Sequence, residues 1–189
     1  MRRAFVGVDV GTSSARAGVF DEAGNLLSTA RHPIAVWHDA GDIVEQSSSD
    51  IWTACVAAVR LAMTEAGISP DAVTGVGFDA TCSLVVLDRA AEPVTVSLSG
   101  DNRRNVMVWM DHRATAEARF INETQDDVLR YVGGSISPEM EIPKILWLKR
   151  HLPTSYAAAG HFFDLADYLS FRATGSSATS QSSCAPRSR

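Results

Sequence analysis

The chain opens on strand-forming residues broken by one glycine. Phe5, Val6, Val8 and Val10 form the first run, Gly11 interrupts it, and a second run extends from Ala15 to Phe20. Two such runs around a tight Gly-Thr-Ser turn predict a hairpin. A turn at Ala23-Gly24-Asn25 followed by Asn25 to Ile34 adds a third strand and completes an antiparallel meander. Trp37 to Val44 carries His38, Asp39, Gly41 and Asp42 and predicts a loop, with His38 as an ordinary surface histidine. The period then lengthens. Ser47 to Asp50 offers an N-cap and an acid for the positive end of a helix dipole. Ile51, Cys55, Val59, Ala62 and Ala66 follow at helical spacing, and Gly67 supplies the stop. Cys55 falls on the apolar face and is read as a core residue. Val73 to Phe78 predicts a buried strand, and this β-helix-β order predicts an α/β layer fold.

Farther along, Ser83–Leu87 predicts a strand, Asp88–Pro93 a turn, and Val94–Leu98 a strand pairing back. A polar loop over Ser99–Asn105 leads to a short strand at Val106–Trp109. Thr115–Asn122 and Gln125–Tyr131 are helical in pattern, and Gly133-Gly134 breaks them. Pro143 suits the first turn of a helix running to His151. His161–Leu165 predicts a strand and Ala166–Ala173 a helix. From Gly175 the character changes. Six serines stand between Ser176 and Ser188, with no Val, Leu, Ile or aromatic residue. Such a stretch buries too little apolar surface to offset chain entropy. The expectation is therefore a folded unit over 1–175 and a disordered tail over 176–189.

Composition narrows the class. With 46% hydrophobic and 21% charged residues, the 189-residue chain is that of a soluble globular protein. A net charge of −5 without a basic run argues against nucleic acid as a partner. No apolar stretch approaches the ~20 residues of a membrane span. Cys55, Cys82 and Cys184 are odd in number and far apart, which predicts reduced thiols, no metal cluster and a cytoplasmic setting.

The chemistry concentrates in a few places. Gly11 has no Cβ to keep a ligand from the backbone, and Thr12, Ser13 and Ser14 surround the turn with hydroxyls. Successive turn N–H groups with these hydroxyls make an anion site, which Arg16 can reach. Asp9, just before the turn, is better suited to Mg²⁺ than to phosphate, since like charges repel. The loop contains neither GxxxxGKS/T nor GxGxxG. Asp79, Thr81, Cys82 and Ser83 lie at a strand end, where α/β sheets place ligands. Trp109, Asp111, His112 and Arg113 are the densest polar-aromatic group, apt for a sugar: an indole packs on carbons while a carboxylate and a guanidinium fix hydroxyls. Arg113 can also orient Asp111 as a bidentate partner. Glu139 and Glu141 follow, with Lys144 placed to pair with them.

Four stretches carry a resemblance. They are FVGVDVGTSSARAGVFD from Phe5, VGFDATCSLVVLD from Val76, VWMDHRATAEARFIN from Val108 and GGSISPEMEIPKILWLK from Gly133. In this order they resemble the N-terminal domain of the FGGY carbohydrate kinases, ribulokinase-like members above all. The resemblance implies a ribonuclease H-like α/β domain of the actin, Hsp70 and sugar kinase superfamily, a mixed sheet with the meander at its head and flanking helices. It implies ATP and Mg²⁺ as cofactors and a pentulose such as ribulose as acceptor. Gly11, Thr12, Ser13, Ser14 and Arg16 would hold phosphate and Asp9 the metal. Asp79, Thr81, Cys82, Ser83, Trp109, Asp111, Arg113 and Glu139 would line the sugar site. FGGY kinases use an Asp as base, which argues against His112 in that role. That Asp and the adenosine-holding second domain fall beyond Arg189, so the chain is expected to be inactive alone. The Ser-rich tail stands where a family segment should continue, which predicts a frameshift or truncation. The alternative is a non-catalytic remnant that at most binds sugar or phosphate. An actin- or Hsp70-like ATPase shares only the hairpin. An incomplete domain would expose a sheet edge and invite self-association.

Overall fold

A computed structural model of the chain describes residues 3–39 and 41–177. The expectations for the tail from residue 178, Cys184 included, lie outside the described residues. The opening meander forms as β1 (Ala4–Val10), β2 (Ser14–Asp21) and β3 (Leu26–Pro33). Both connections are antiparallel, with Val10 opposite Ala15 at the first turn. Val6, Val8, Val10, Ala15, Ala17 and Val19 point into the core, as their period-two spacing requires.

Their cover is α1 (Ser48–Ala66). Its buried stripe is Ile51, Ala54, Cys55, Ala58 and Ala62, mostly small residues that let the helix lie close to the strands. Ser47 caps it by accepting from the Asp50 N–H (3.3 Å), and Gly67 ends it at φ 63°. The chain then returns as β6 (Val73–Ala80), parallel to β1, and completes a mixed sheet in the order β3-β2-β1-β6.

The strands between and beyond build a second, antiparallel sheet. It contains β4 (Trp37–His38), β5 (Val44–Gln46), β7 (Leu84–Leu87), β8 (Val106–Met107) and β9 (His161–Asp164), in the order β4-β5-β8-β7-β9. Around it lie α2 (Thr115–Glu123), α3 (Glu141–His151), α4 (Pro153–Ala158) and α5 (Leu165–Thr174). Leu165, Tyr168 and Leu169 of α5 share one core with α1 and the first sheet. Trp147 and Leu148 of α3 pack with Leu84, Val86, Val96 and Met107 in a second.

Four local expectations are corrected. The strand expected to be buried at Val73 to Phe78 has no buried residue, because β6 pairs with β1 alone. Trp37 to Val44 is not wholly a loop, because Trp37 and His38 pair with Glu45 and Val44 across a small hairpin. Val94–Leu98 forms no strand. It is tied by a single bridge at Pro93 and two bonds, Val94 N–H to Val86 O and Val96 N–H to Arg104 O. Pro93 brings no N–H to a ladder. Gln125–Tyr131 is a 3₁₀ turn over Asp127–Val132, capped by Asp126, and Gln125 itself has φ 51°, outside any helix.

The face of the first sheet away from α1 is open. Register lines up Gly77, Gly7 and Gly18 across three strands. This row floors a cleft of about 740 Å³ bounded by Asp9, Arg16, Phe20, Leu26, Arg31 and Asp79.

Candidate functional site

The bend between β1 and β2 is pinned from three sides. The Gly11 N–H donates to Ser14 O (3.1 Å), the Ile34 N–H to Ser13 O (3.0 Å), and Gln46 Nε2 to Thr12 O (2.7 Å). Ser13 is exposed, Thr12 half-buried and Ser14 buried. A Cβ built on Gly11 would meet no atom closer than 3.8 Å. The fold itself therefore leaves room at Gly11, and the space above it is free for a ligand.

Beside this turn, one register row crosses the first sheet as Asp79, Asp9, Arg16 and Arg31. Arg16 Nη2 lies 2.7 Å from Asp9 Oδ2, with both side chains more than half exposed. Asp79 is exposed, and its Oδ1 accepts from the Ala80 N–H (3.0 Å). Two carboxylates thus stand side by side at the strand ends, neutralised on one flank by a guanidinium.

The strand end after Asp79 is tied to the same place. The Thr81 N–H donates to Val10 O (3.1 Å) and the Ser83 N–H to Thr81 O (2.8 Å). Ser83 Oγ accepts from the Trp109 N–H (3.1 Å) and lies 3.3 Å from Thr81 Oγ1. Trp109 then reaches over: its Nε1–H donates to Thr12 Oγ1 (3.1 Å). Thr12, Thr81, Ser83 and Trp109, 97 residues apart at the extremes, form one connected group. Cys82 is exposed beside them. Partial burial of its thiol and the Glu141 and Asp164 carboxylates push its pKa up. Cys55 is pushed to about 12 by burial, as befits a core residue.

Asp111 and Arg113 sit deeper. Asp111 is fully buried, and Arg113 Nε and Nη2 grip both its oxygens at 2.6 to 2.9 Å. The Val44 N–H donates to Asp111 Oδ2 (2.8 Å). Arg113 Nη2 also reaches Glu45 Oε1 (2.6 Å) and Nη1 the Val96 carbonyl (2.9 Å). Glu45 Oε2 accepts from Arg104 Nε (2.6 Å), and Arg104 continues to Asp39. Burial opposes the Arg113 charge, but Asp111 and Glu45 outweigh it and raise its pKa. Alternating signs make this a closed network rather than a set of stray charges.

Glu139 is half-exposed and lies 3.2 Å from His112 Nε2. Lys144 is not ion-paired with either glutamate. It is fully buried, and its Nζ donates to Val108 O (2.8 Å) and Trp109 O (3.2 Å). Both Glu141 oxygens are buried without a hydrogen bond of good geometry. The neighbouring Asp164 is pushed up to about 7, by burial first and then by the Glu141 and Asp167 charges.

Glu45 and Gln46, which support Arg113 and Thr12, escaped the sequence reading. Both are buried in a three-residue strand, so no alternation marks them. Two polar residues directly before a helix cap were the only available signal.

The chain matches the FGGY family of carbohydrate kinases, N-terminal domain, over residues 4–188. It belongs to this family. It is 50% identical over 179 residues to the human FGGY carbohydrate kinase domain-containing protein, covering 94% of this chain and 32% of that protein. It is 49% identical over 174 residues to a D-ribulokinase of Saccharomyces cerevisiae, covering 90% of this chain and 24% of the relative. The FGGY chain therefore spans about a quarter to a third of the length of these curated relatives. Its fold is that of solved sugar kinases. Xylulose kinase from Rhodospirillum rubrum superposes with TM-score 0.74 at 19% identity, covering 89% of this chain and 33% of that one. Glycerol kinase from Plasmodium falciparum, solved with ADP, gives 0.71 at 18%, covering 92% and 35%. These likenesses establish the actin, Hsp70 and ribonuclease H-like architecture. Among the described residues no helix is long and apolar enough to cross a membrane.

Proposed function

We propose that this FGGY chain is the sugar-holding and phosphate-turn part of an ATP-dependent kinase that phosphorylates a hydroxyl of a pentulose such as ribulose. The observation that carries the reading is the Trp109–Thr12 hydrogen bond, which joins the hydroxyl-rich turn to the strand-end group. Thr81, Cys82 and Trp109 face the sugar in this reading, while Ser83, expected there too, is fully buried and holds Trp109 and Thr81 from behind. Asp79 and Glu139, both partly free, bind hydroxyls at its rim. Asp111 and Arg113 contribute by fixing the Trp109 loop and its charge. Gly11, Thr12, Ser13 and Ser14 receive phosphate oxygens, with Arg16 beside them.

The residues fit the cofactors of such a reaction. Mg²⁺ keeps several waters and needs only one or two carboxylates. Asp9 offers one that is half exposed and held by Arg16 on one oxygen. The metal would neutralise phosphate charge when bound. The turn N–H groups orient the phosphate, and Trp109 excludes water from the sugar. Phosphoryl transfer of this kind rests on positioning and electrostatics. We assign no general base within this chain, because Asp164 caps α5 and is buried. The chain alone is therefore a binder, and the thiols of Cys55 and Cys82 suit a reducing, cytoplasmic setting.

D-ribulose, L-ribulose, D-xylulose and glycerol titrated into ¹⁵N-labelled protein test the reading. The expected result is binding of a pentulose with shifts at Thr81–Ser83 and Trp109, and no ADP release in a coupled assay. Absence of binding by all four would overturn the sugar assignment. Sugar-dependent ADP release by the chain alone would instead overturn its assignment as a non-turning binder.

A further inference from the structure

Among the described residues no larger side chain than Lys144 is fully buried. Stability alone gives no reason for this, since an apolar residue of its length would fill the space without the cost of desolvating an ammonium. That cost is visible: burial lowers the Lys144 pKa to about 8, while Asp111, Glu141 and Cys82 hold it up and Arg113 opposes them. Its partners show what the charge is for. Nζ takes the carbonyls of two consecutive residues, Val108 at 2.8 Å and Trp109 at 3.2 Å. In an extended strand consecutive carbonyls point to opposite sides. Both can meet one ammonium only if the chain bends between them. The bend falls where β8 has just ended at Met107 and the Asp111 N–H turns back to Val108 O (2.9 Å). It is also the point from which Trp109 reaches the turn, with its N–H on Ser83 and its indole on Thr12.

We propose that Lys144 is a positioning residue, whose ammonium gathers the Val108 and Trp109 carbonyls and so aims the Trp109 indole at Thr12. A compact ammonium with three donors can do this from the interior of α3, whereas a thioether of similar length cannot. Helix α3 thereby sets the wall between the sugar side and the phosphate turn. The proposal rests on the kinase reading only for the purpose of that wall, not for its geometry.

The test uses the indole N–H resonances of ¹⁵N-labelled protein, with Trp109 identified by Trp109→Phe. Lys144→Met is expected to shift the Trp109 indole signal while leaving those of Trp37 and Trp52 in place. Exchange of that N–H with solvent should quicken about five- to tenfold, the scale of one net hydrogen bond. An unchanged Trp109 signal in the folded variant would overturn the proposal. Should Lys144→Met not fold, Thr12→Val cuts the same chain of contacts from the other end. It is expected to speed reductive methylation of Lys144 relative to wild type, and an unaltered rate would equally overturn the proposal. Neither readout involves sugar or nucleotide. A Trp109 response in a protein that binds no pentulose would uphold the positioning role and sink the sugar reading alone.

Discussion

At the residue scale, the site depends on charges that water does not reach. Arg113 serves Asp111, Glu45 and the Val96 carbonyl at once, with its side chain 3% exposed. Removing it leaves the fully buried Asp111 without its countercharge and Glu45 with Arg104 alone. Arg113→Ala is expected to cost about 3–5 kcal/mol, read by denaturant unfolding. Arg113→Lys should recover little of this, because one ammonium cannot make the planar fork to Asp111 while also reaching Glu45. A lysine variant as stable as wild type would mean that the network needs only charge. Gly11 stands at the other extreme. Space for a Cβ is present, so Gly11→Ala should leave the unfolding free energy within about 1 kcal/mol of wild type and weaken phosphate binding at the turn. Loss of fold without a ligand would show that the glycine serves the chain and not the ligand. The sequence alone made Gly11, Thr12 and Trp109 candidates because glycine and hydroxyls in a turn, or an indole beside an acid, carry their chemistry locally. It could not reveal Lys144, whose function depends on carbonyls 36 residues away.

At the element scale, α5 begins on a carboxylate that prefers its proton. Asp164 accepts from the Ala166 N–H (3.0 Å) as an N-cap. Burial, together with the Glu141 and Asp167 charges, still lifts its pKa from 3.8 to about 7. The folded state thus holds a proton that the unfolded chain releases. This contribution to stability is full below pH 3.8 and is lost as pH rises towards 7. Lys144 acts in the opposite window. With its folded pKa lowered to about 8 from 10.5, its penalty is full below 8 and is relieved as pH climbs to 10.5. Asp164→Asn keeps a capping oxygen and removes the titration. The expected outcome is a smaller fall in melting temperature between pH 4 and 7 than wild type shows. An unaltered pH profile would place the titration elsewhere. Most elements were legible from pattern: the meander and α1 have regular periods and clear punctuation at Gly24, Ser47 and Gly67. Two of the strands that the pattern did not show share one cause. Strands β4 and β5 are two and three residues long, too short to show any period, and their pairing is set by partners distant in sequence.

At the scale of the whole molecule, the first sheet is finished on one side only. Helix α1 covers the face of Val6, Val8 and Val10, while the opposite face carries the glycine row and the half-exposed Phe5 and Leu26. Strand β6 is an outer strand of the sheet among the described residues, pairing β1 alone. Its Val76 is 51% exposed, and Gly75 and Gly77 beside it carry no side chain to block an approach. An edge of this kind has unpaired backbone donors and acceptors and no charge in its middle, where sheet proteins usually place one. The expected consequence is association of the isolated chain through β6, driven by new ladder bonds and burial of Val76. Sedimentation velocity over a hundredfold range of concentration reads it directly. Wild type is expected to gain mass as concentration rises, and Val76→Lys, which sets a charge on the edge without touching the core face of β1, should remain monomeric. The melting temperature of dilute Val76→Lys should match that of dilute wild type, since the side chain is already half in water. A monomer at every concentration in both proteins would show that the edge is protected in solution, and association unchanged by the lysine would move the contact to the Phe5 and Leu26 face.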